Sequence, residues 1–395
     1  MIRDRPYPYY RLSIFYLFFF AALGAFVPYW SLYLQHLSFS AAEIGEIMAI
    51  AMASKIVAPY LWGWLADHSG KRLHIIRLTA FLSCVFFLGI FLGSDYFWIA
   101  LITALFGFFW NACLPLFEGL TLNHLGDDFS EYSHIRIWGS IGFIVSVVSL
   151  PLGFEVFGFI IIPIVLMILL VFMSLATFIV SDKPYNIKTP LSHKIWDIVR
   201  QPIVIAFLIV CTLQVASHGA YYTFFSIYLQ ENGYSALFTG WMWALGVIAE
   251  IGVFMMMHQV LQRYNAGLLL ALALLGTAIR WFLLAYFVNF LPILLFVQIL
   301  HAISFGLFHA AAIHLVHDLF PGRLQGRGQA LYAGLCFGLG GVVGNLLSGY
   351  AWDSIGSVTT FLVSGLVALI GSVIAWFFIA QAASMYVTNT QEDDL

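Results

Sequence analysis

The sequence predicts an all-α integral membrane protein with twelve transmembrane helices in two pseudo-symmetric six-helix bundles. Three observations carry this expectation: an excess of apolar residues, their spacing into membrane-length runs, and a repeat joining the two halves. Of 395 residues, 62% are hydrophobic and only 9% are charged, with a mean hydropathy of +0.95. Soluble domains run at about 45–50% apolar and about 25% charged. The chain has too little polar material to cover a globule in water, so the excess must face lipid. Soluble enzymes, nucleic-acid binders and disordered chains are excluded as classes, and a net charge of −3 offers nothing to a polyanion.

A helix needs about 20 apolar residues to cross a bilayer about 30 Å thick. Runs of that kind lie at 11–35, 41–66, 73–93, 96–124, 136–154 and 157–181. A second set lies at 201–229, 236–262, 267–288, 290–316, 328–351 and 357–382. The division is therefore an N-terminal bundle over 1–182, a cytoplasmic linker over 183–200, and a C-terminal bundle over 201–395. The basic N-terminus leads into a run too long for a signal peptide and without a small-residue cleavage site, so a retained first span is expected. The acidic tail Glu392-Asp393-Asp394 reads as solvated.

Basic residues set the orientation. Arg3, Arg5, Arg11, Lys71, Arg72, Arg77, Lys183, Lys188, Lys194, Arg200, Arg263, Arg323 and Arg327 fall on one set of alternating connections or their edges. The opposite connections, at 36–40, 94–95, 155–156, 230–235, 289 and 352–356, hold no Lys or Arg. By the positive-inside rule both termini are cytoplasmic, in the cytoplasmic (inner) membrane.

The halves repeat. Gly24-Ala25-Phe26, Ser31-Leu32-Tyr33-Leu34-Gln35, Ser40-Ala41 and Gly45 recur as Gly219-Ala220-Tyr221, Ser226-Ile227-Tyr228-Leu229-Gln230, Ser235-Ala236 and Gly240. Each copy stands 195 residues after the first, without a gap, through two helices and their loop. Two parallel six-helix repeats are a transporter architecture, with the substrate site expected near the membrane midplane.

Charge at the bilayer centre costs at least about 2.5–3.5 kcal/mol on insertion scales, so intramembrane charges mark candidate sites. Lys55, Arg136 and Arg280 are the basic residues outside the cytoplasmic set, and Glu118 and Glu250 sit well inside spans. Lys55 lies ten residues beyond Gly45, near mid-membrane, and the repeat maps it onto Glu250. Glu118 and Arg136 belong to consecutive helices that could bring them together. His301 and His309 can share a face of one helix, and His218 sits beside Tyr221-Tyr222. Histidines and buried carboxylates are the groups able to carry a proton near neutral pH. Glu43 and Glu46, at the outer interface, are expected to be solvated. No metal-ligand spacing appears, and Cys84, Cys113, Cys211 and Cys336 read as buried free thiols. No metal and no cofactor are expected. Gly334, Gly338, Gly340, Gly341 and Gly344 read as a helix-packing stripe rather than a phosphate loop, and Met255-Met256-Met257 as lipid-facing or core packing.

After the second span comes Gly63-Trp64-Leu65-Ala66-Asp67-His68-Ser69-Gly70-Lys71-Arg72. It resembles the signature loop of the major facilitator superfamily, and the resemblance implies a gating role for Gly63, Asp67, Gly70, Lys71 and Arg72. The equivalent loop in the second half, Gln262-Arg263-Tyr264-Asn265-Ala266-Gly267, is degenerate. Pro115-Leu116-Phe117-Glu118 and His134-Ile135-Arg136-Ile137-Trp138-Gly139 resemble the Glu/Arg pair of the lactose-permease-like proton symporters, at the same spacing. Leu300-His301 resembles that group's histidine, while Ser304 stands where the group has an acid and Gln298 where it has a lysine. Lys55, His218-Gly219-Ala220-Tyr221-Tyr222, Leu245-Gly246-Val247-Ile248-Ala249-Glu250, Arg280-Trp281 and Gln298-Ile299-Leu300-His301 with His309 are most similar to the phenylpropionate permease branch.

The resemblance implies a transporter, not an enzyme, importing a small aromatic acid such as 3-phenylpropionate with protons by alternating access. Lys55, Glu118, Arg136, His218, Arg280 and His301 are the candidate substrate-binding residues. Glu250, Glu118 and His301 are the candidate proton-coupling residues. The alternative is a proton symporter of a neutral sugar or nucleoside, led by Glu118 and Arg136. The expected partners are a small-molecule substrate, protons and the lipid bilayer, with no nucleic acid, for a chain acting as a monomer. The 12 Trp, 19 Tyr and 38 Phe exceed what interfacial belts need and are candidate walls for a ring-bearing substrate.

Overall fold

The computed structural model describes residues 7–126, 128, 131–183 and 195–381, and every regular element among them is helical. Three of the described helices, α2, α4 and α10, begin where a polar side chain satisfies free N–H groups of the first turn. Helix α1 is Tyr9–His36. Helix α2, Ala41–Ser69, opens on Ser40 and Glu43, whose side chains each accept from the other's backbone N–H, and closes at Gly70 with φ 64°. Helix α3 is Arg72–Phe87. Helix α4, Tyr96–Leu125, opens on Asp95, which accepts from the Trp98 N–H. Helices α5 (Tyr132–Ser149) and α6 (Ile161–Phe178) complete the first half.

In the second half, α7 (Pro202–Ser217) and α8 (Gly219–Glu231) meet at His218. Helix α9 is Ala236–Arg263 and α10 is Ala266–Phe287, the latter capped by Asn265. Helix α11 (Leu291–Ile299) leads into a π-helical segment, Ala302–Leu307, and then α12, Phe308–Leu319. Helix α13 (Gln325–Leu331) leads into a second π segment, Tyr332–Leu339, and then α14, Gly340–Ala375.

Among the described residues, ten helical segments are long and apolar enough to cross a membrane. Two of them, Tyr132–Phe178 with 47 residues and Gln325–Ala380 with 56, would be roughly 70 and 85 Å long at 1.5 Å per residue, more than twice the bilayer. Each is broken by a glycine in the left-handed region, Gly158 at φ 64° and Gly356 at φ 83°. Each therefore has the length and the break for two crossings, at the places where the apolar runs 136–154/157–181 and 328–351/357–382 divide.

The chain forms two compact units, Met1–Thr189 with Tyr234–Ala244, and Pro190–Gly233 with Leu245–Leu395. In the first, α1 packs on α5 and α6, and α4 on α2 and α3. In the second, α14 packs on α7, α8 and α10. Close approach is carried by glycine. A Cβ on Gly24 would lie 2.9 Å from the Phe143 carbonyl oxygen, and one on Gly219 would lie 2.2 Å from Gly344. These two glycines stand at the repeat spacing, so the same glycine-lined seam recurs in both units. The four cysteines are buried and free. Met255 and Met256 face outward while Met257 is buried.

Candidate functional site

In the second unit the intramembrane polar residues converge on Arg280. It sits on α10, is fully buried, and its guanidinium lies 4.2 Å from the Tyr221 ring and 4.5 Å from the Trp281 ring. Its Nε donates to the Val297 carbonyl at 2.9 Å. Nη1 reaches Ser304 Oγ at 3.0 Å and His301 Nδ1 at 3.1 Å, and Nη2 reaches Gln298 Oε1 at 3.4 Å. Tyr221 also donates to Gln298 Oε1, at 3.0 Å. Arginine is a donor only. His301 Nδ1 must therefore be the accepting nitrogen, and the imidazole hydrogen sits on Nε2. That nitrogen lies 3.7 Å from Glu250 Oε2. Glu250, His301 and Arg280 thus form a chain in which the guanidinium fixes the histidine tautomer and the histidine presents N–H to the carboxylate.

His218 is set by the break between α7 and α8. Its backbone N–H bonds the Val215 carbonyl, so the Gln214 carbonyl loses its helical partner. That carbonyl accepts instead from Ser217 Oγ at 2.7 Å and from His218 Nδ1 at 2.9 Å. Because a carbonyl cannot donate, Nδ1 carries the hydrogen. Gln214 Nε2 donates to Thr277 Oγ1 at 2.8 Å and to the Ser304 carbonyl at 2.6 Å, tying three helices together. His301, Phe305 and His309 stack as a column, with centroids 5.7 and 5.8 Å apart, so the two histidines do share a face.

The first unit holds the remaining candidates. Lys55, half-buried on α2, makes no hydrogen bond and no ion pair among the described residues. Next to it, Asn111 Nδ2 donates to Ser54 Oγ at 2.7 Å and to the Ala51 carbonyl at 3.0 Å, fixing α4 on α2. Glu118 accepts from the Tyr132 hydroxyl at 3.0 Å. Arg136 lies over the Phe20 ring at 3.7 Å and 5.9 Å from that of Tyr16. Glu118 and Arg136 are thus gathered around Tyr16 and Tyr132, but not as the direct ion pair that their spacing suggests. The guanidinium folds back instead onto Gly139, where a Cβ would meet its Nη1 at 2.7 Å.

In the loop after α2, Arg72 Nη2 meets Asp67 Oδ1 at 2.7 Å, beside the left-handed turn at Gly70. Lys71 is exposed. Glu43 and Glu46 are half-buried rather than simply solvated: one caps α2 and the other accepts from the Tyr96 hydroxyl. The acidic tail, Lys188 and Lys194 lie outside the described residues.

Sequence reasoning passed over Gln214 and Tyr132, and met Gly139 only as the end of the Arg136 motif. The available signal for Gln214 was an amide alone in the apolar run Pro202–Ser217, where an unsatisfied side chain is costly. Tyr132 and Gly139 carry no such signal.

The family model described as the MFS_1 like family matches residues 9–363. The chain is similar to an Escherichia coli (strain K12) protein named as a probable 3-phenylpropionic acid transporter, 27% identical over 365 residues, covering 91% of this chain and 94% of that one. It is likewise similar to a maltose permease of Geobacillus stearothermophilus, 27% identical over 355 residues and covering 88% and 89%. In fold it is similar to the crystal structure of the nucleoside transporter NupG, with TM-score 0.81, 18% identity and coverage of 94% and 98%. A D-xylose-proton symporter structure gives TM-score 0.74 at 12% identity, covering 94% and 97%.

Proposed function

Because the chain belongs to the MFS_1 like family, a family of membrane transporters rather than enzymes, we propose that it imports a small aromatic carboxylate with protons. The solute class is that of 3-phenylpropionate, and transport proceeds by alternating access between the bundles 1–182 and 201–395 in the cytoplasmic membrane, both termini inside. The observation that carries this reading is Lys55, a cation within a span and without a partner among the described residues. An ammonium held in low dielectric is costly until an anion joins it, and a carboxylate supplies that charge.

Arg280 is spoken for by Gln298, Ser304, His301 and the Val297 carbonyl, so the carboxylate falls to Lys55. Glu250 carries the proton. When ionised it faces the Nε2–H of His301 at 3.7 Å, and protonation removes the charge that attracts it. Asp67 and Arg72 couple α2 to α3 at the cytoplasmic turn.

The test is uptake of labelled 3-phenylpropionate into proteoliposomes under an imposed proton gradient. Wild-type protein accumulates the solute, and an uncoupler abolishes accumulation. Lys55→Ala raises the half-saturating concentration at least about tenfold, as expected from loss of a charged contact worth about 1.5–3 kcal/mol. Glu250→Gln abolishes accumulation while exchange persists. Wild-type accumulation in both variants overturns the reading. A second reading, transport of a neutral sugar or nucleoside, is favoured by the Glu118–Tyr132 contact, a carboxylate held by a hydroxyl rather than by a cation. Competition by maltose or uridine without competition by the aromatic acid selects it.

A further inference from the structure

In the first unit, Asn111 on α4 holds its amide in one orientation. Nδ2 donates to Ser54 Oγ at 2.7 Å and to the Ala51 carbonyl at 3.0 Å, and Ser54 Oγ donates to that same carbonyl at 2.8 Å. A carbonyl can only accept, so the amide cannot be turned round, and Oδ1 is the end left over. Gly107 permits the approach, since a Cβ there would lie 2.9 Å from Ser54 Oγ.

Oδ1 is open to an incoming group. No donor among the described residues meets it, yet it is not one of the enclosed polar atoms left without a partner. Phe108, Asn111, Pro115, Glu118 and Leu122 recur every three or four residues along α4 and none is buried, while Trp110, Cys113 and Phe117 between them are. They share one face of the helix. A carboxylate on the open face of a spanning helix is set toward a water-filled space and not toward lipid, and Asn111 shares that face with Glu118. Lys55 stands beside the same amide. The Ala51 carbonyl that Asn111 meets is the one whose helical partner is the Lys55 N–H, one turn along α2.

We propose that Asn111 reads a hydroxyl on the carbon next to the solute's carboxylate, so that the preferred solutes are 2-hydroxy-3-arylpropionates. The assignment rests on the reading of Lys55 as the partner of that carboxylate. With the carboxylate on the ammonium, the 2-hydroxyl sits on the neighbouring carbon and donates its hydrogen to Asn111 Oδ1. An unsubstituted acid leaves the amide oxygen facing a C–H group. A 2-ammonium would bring a second positive charge up to Lys55, so a neutral donor fits better than an amino acid.

The test is equilibrium binding to the purified full-length protein in detergent. The probes are 3-phenylpropionate, both enantiomers of 2-hydroxy-3-phenylpropionate, the 2-methoxy analogue and phenylalanine. One enantiomer of the hydroxy acid should bind about five- to tenfold tighter than the parent, the gain expected from one hydrogen bond to an otherwise unpaired acceptor. The methyl ether, with no donor, should lose that gain. In Asn111→Leu the ratio between hydroxy and parent acids should fall to within about twofold. If that variant does not fold, Ser54→Ala, which loosens the amide without removing it, should lower the ratio at least about twofold. The wild-type panel decides alone if neither variant folds. Parent acid or phenylalanine binding the wild type as tightly as the hydroxy acid, or a ratio unchanged in the folded variant, overturns the Asn111 assignment and leaves the aromatic-acid reading standing. Failure of every probe to bind overturns both.

Discussion

At residue 219 the chain carries no side chain because the backbone of Gly344 occupies the place where one would go, 2.2 Å from an added Cβ. Gly219→Ala should therefore force the helices apart and lower stability by about 1–3 kcal/mol, seen as a lower melting temperature in detergent. Gly70 differs in kind. Nothing crowds its Cβ position, but its φ of 64° is left-handed, so Gly70→Ala should cost about 1 kcal/mol through the backbone alone. Neither constraint could be read at its position. The sequence displays a glycine in both places, and the difference lies in a neighbour far along the chain and in a dihedral angle. Lys55, by contrast, was legible because a lone lysine deep in an apolar run has few explanations. Glu118 and Arg136 do come near each other around Tyr16 and Tyr132, but residue spacing does not show that Phe20 and the bare Gly139 offer the guanidinium a flat, open bed.

The helices themselves were visible to within a few residues, since a membrane-length apolar run has one economical structure once its backbone must be satisfied internally. What stayed hidden were their interruptions. A helix that is apolar on every side has little polar phase to follow, so neither the break at His218 nor the π segment at Ala302–Leu307 leaves a trace in residue order. Those interruptions create the polar centre by freeing the Gln214 carbonyl and by bringing Ser304 and His301 to one guanidinium. Arg280 is the element-level fastener, joining α10 to α11 and the following π segment through Val297, Gln298, His301 and Ser304. Arg280→Met keeps the bulk and removes the donors. It should destabilise the protein by about 3 kcal/mol or more, because several buried acceptors lose their partner together, with melting of the purified variant as the measure. Arg280→Lys should recover only part of that loss, since one ammonium cannot reproduce the planar fork.

For the whole molecule, the distribution of Lys and Arg makes a topological prediction that substitution with cysteine can read. The four native cysteines are all buried, so background labelling by a membrane-impermeant thiol reagent should be low. In intact cells Ser94→Cys, on a connection without basic residues, should label from outside. Ser69→Cys, beside Lys71 and Arg72, should label only after the membrane is opened. The reverse pattern would place the termini outside. The repeat was already evident in the sequence at this scale, whereas its purpose in packing was not: Gly24 and Gly219 are equivalent positions because each lets its helix lie against a partner's backbone or nearly so.

Those two seams bear on how the protein responds to heat. Contacts made by backbone and glycine hold no rotamers to be freed, so warming gains little disorder by parting them. The aromatic stacks elsewhere in each unit, such as Phe15 on Phe117 and Phe224 on Trp352, have side chains that regain motion when they separate. Loosening should start among the rings and reach the seams last. Amide exchange slowest along Gly24 and Gly219, and persisting there as the temperature rises, would make each seam the keel about which its bundle is built.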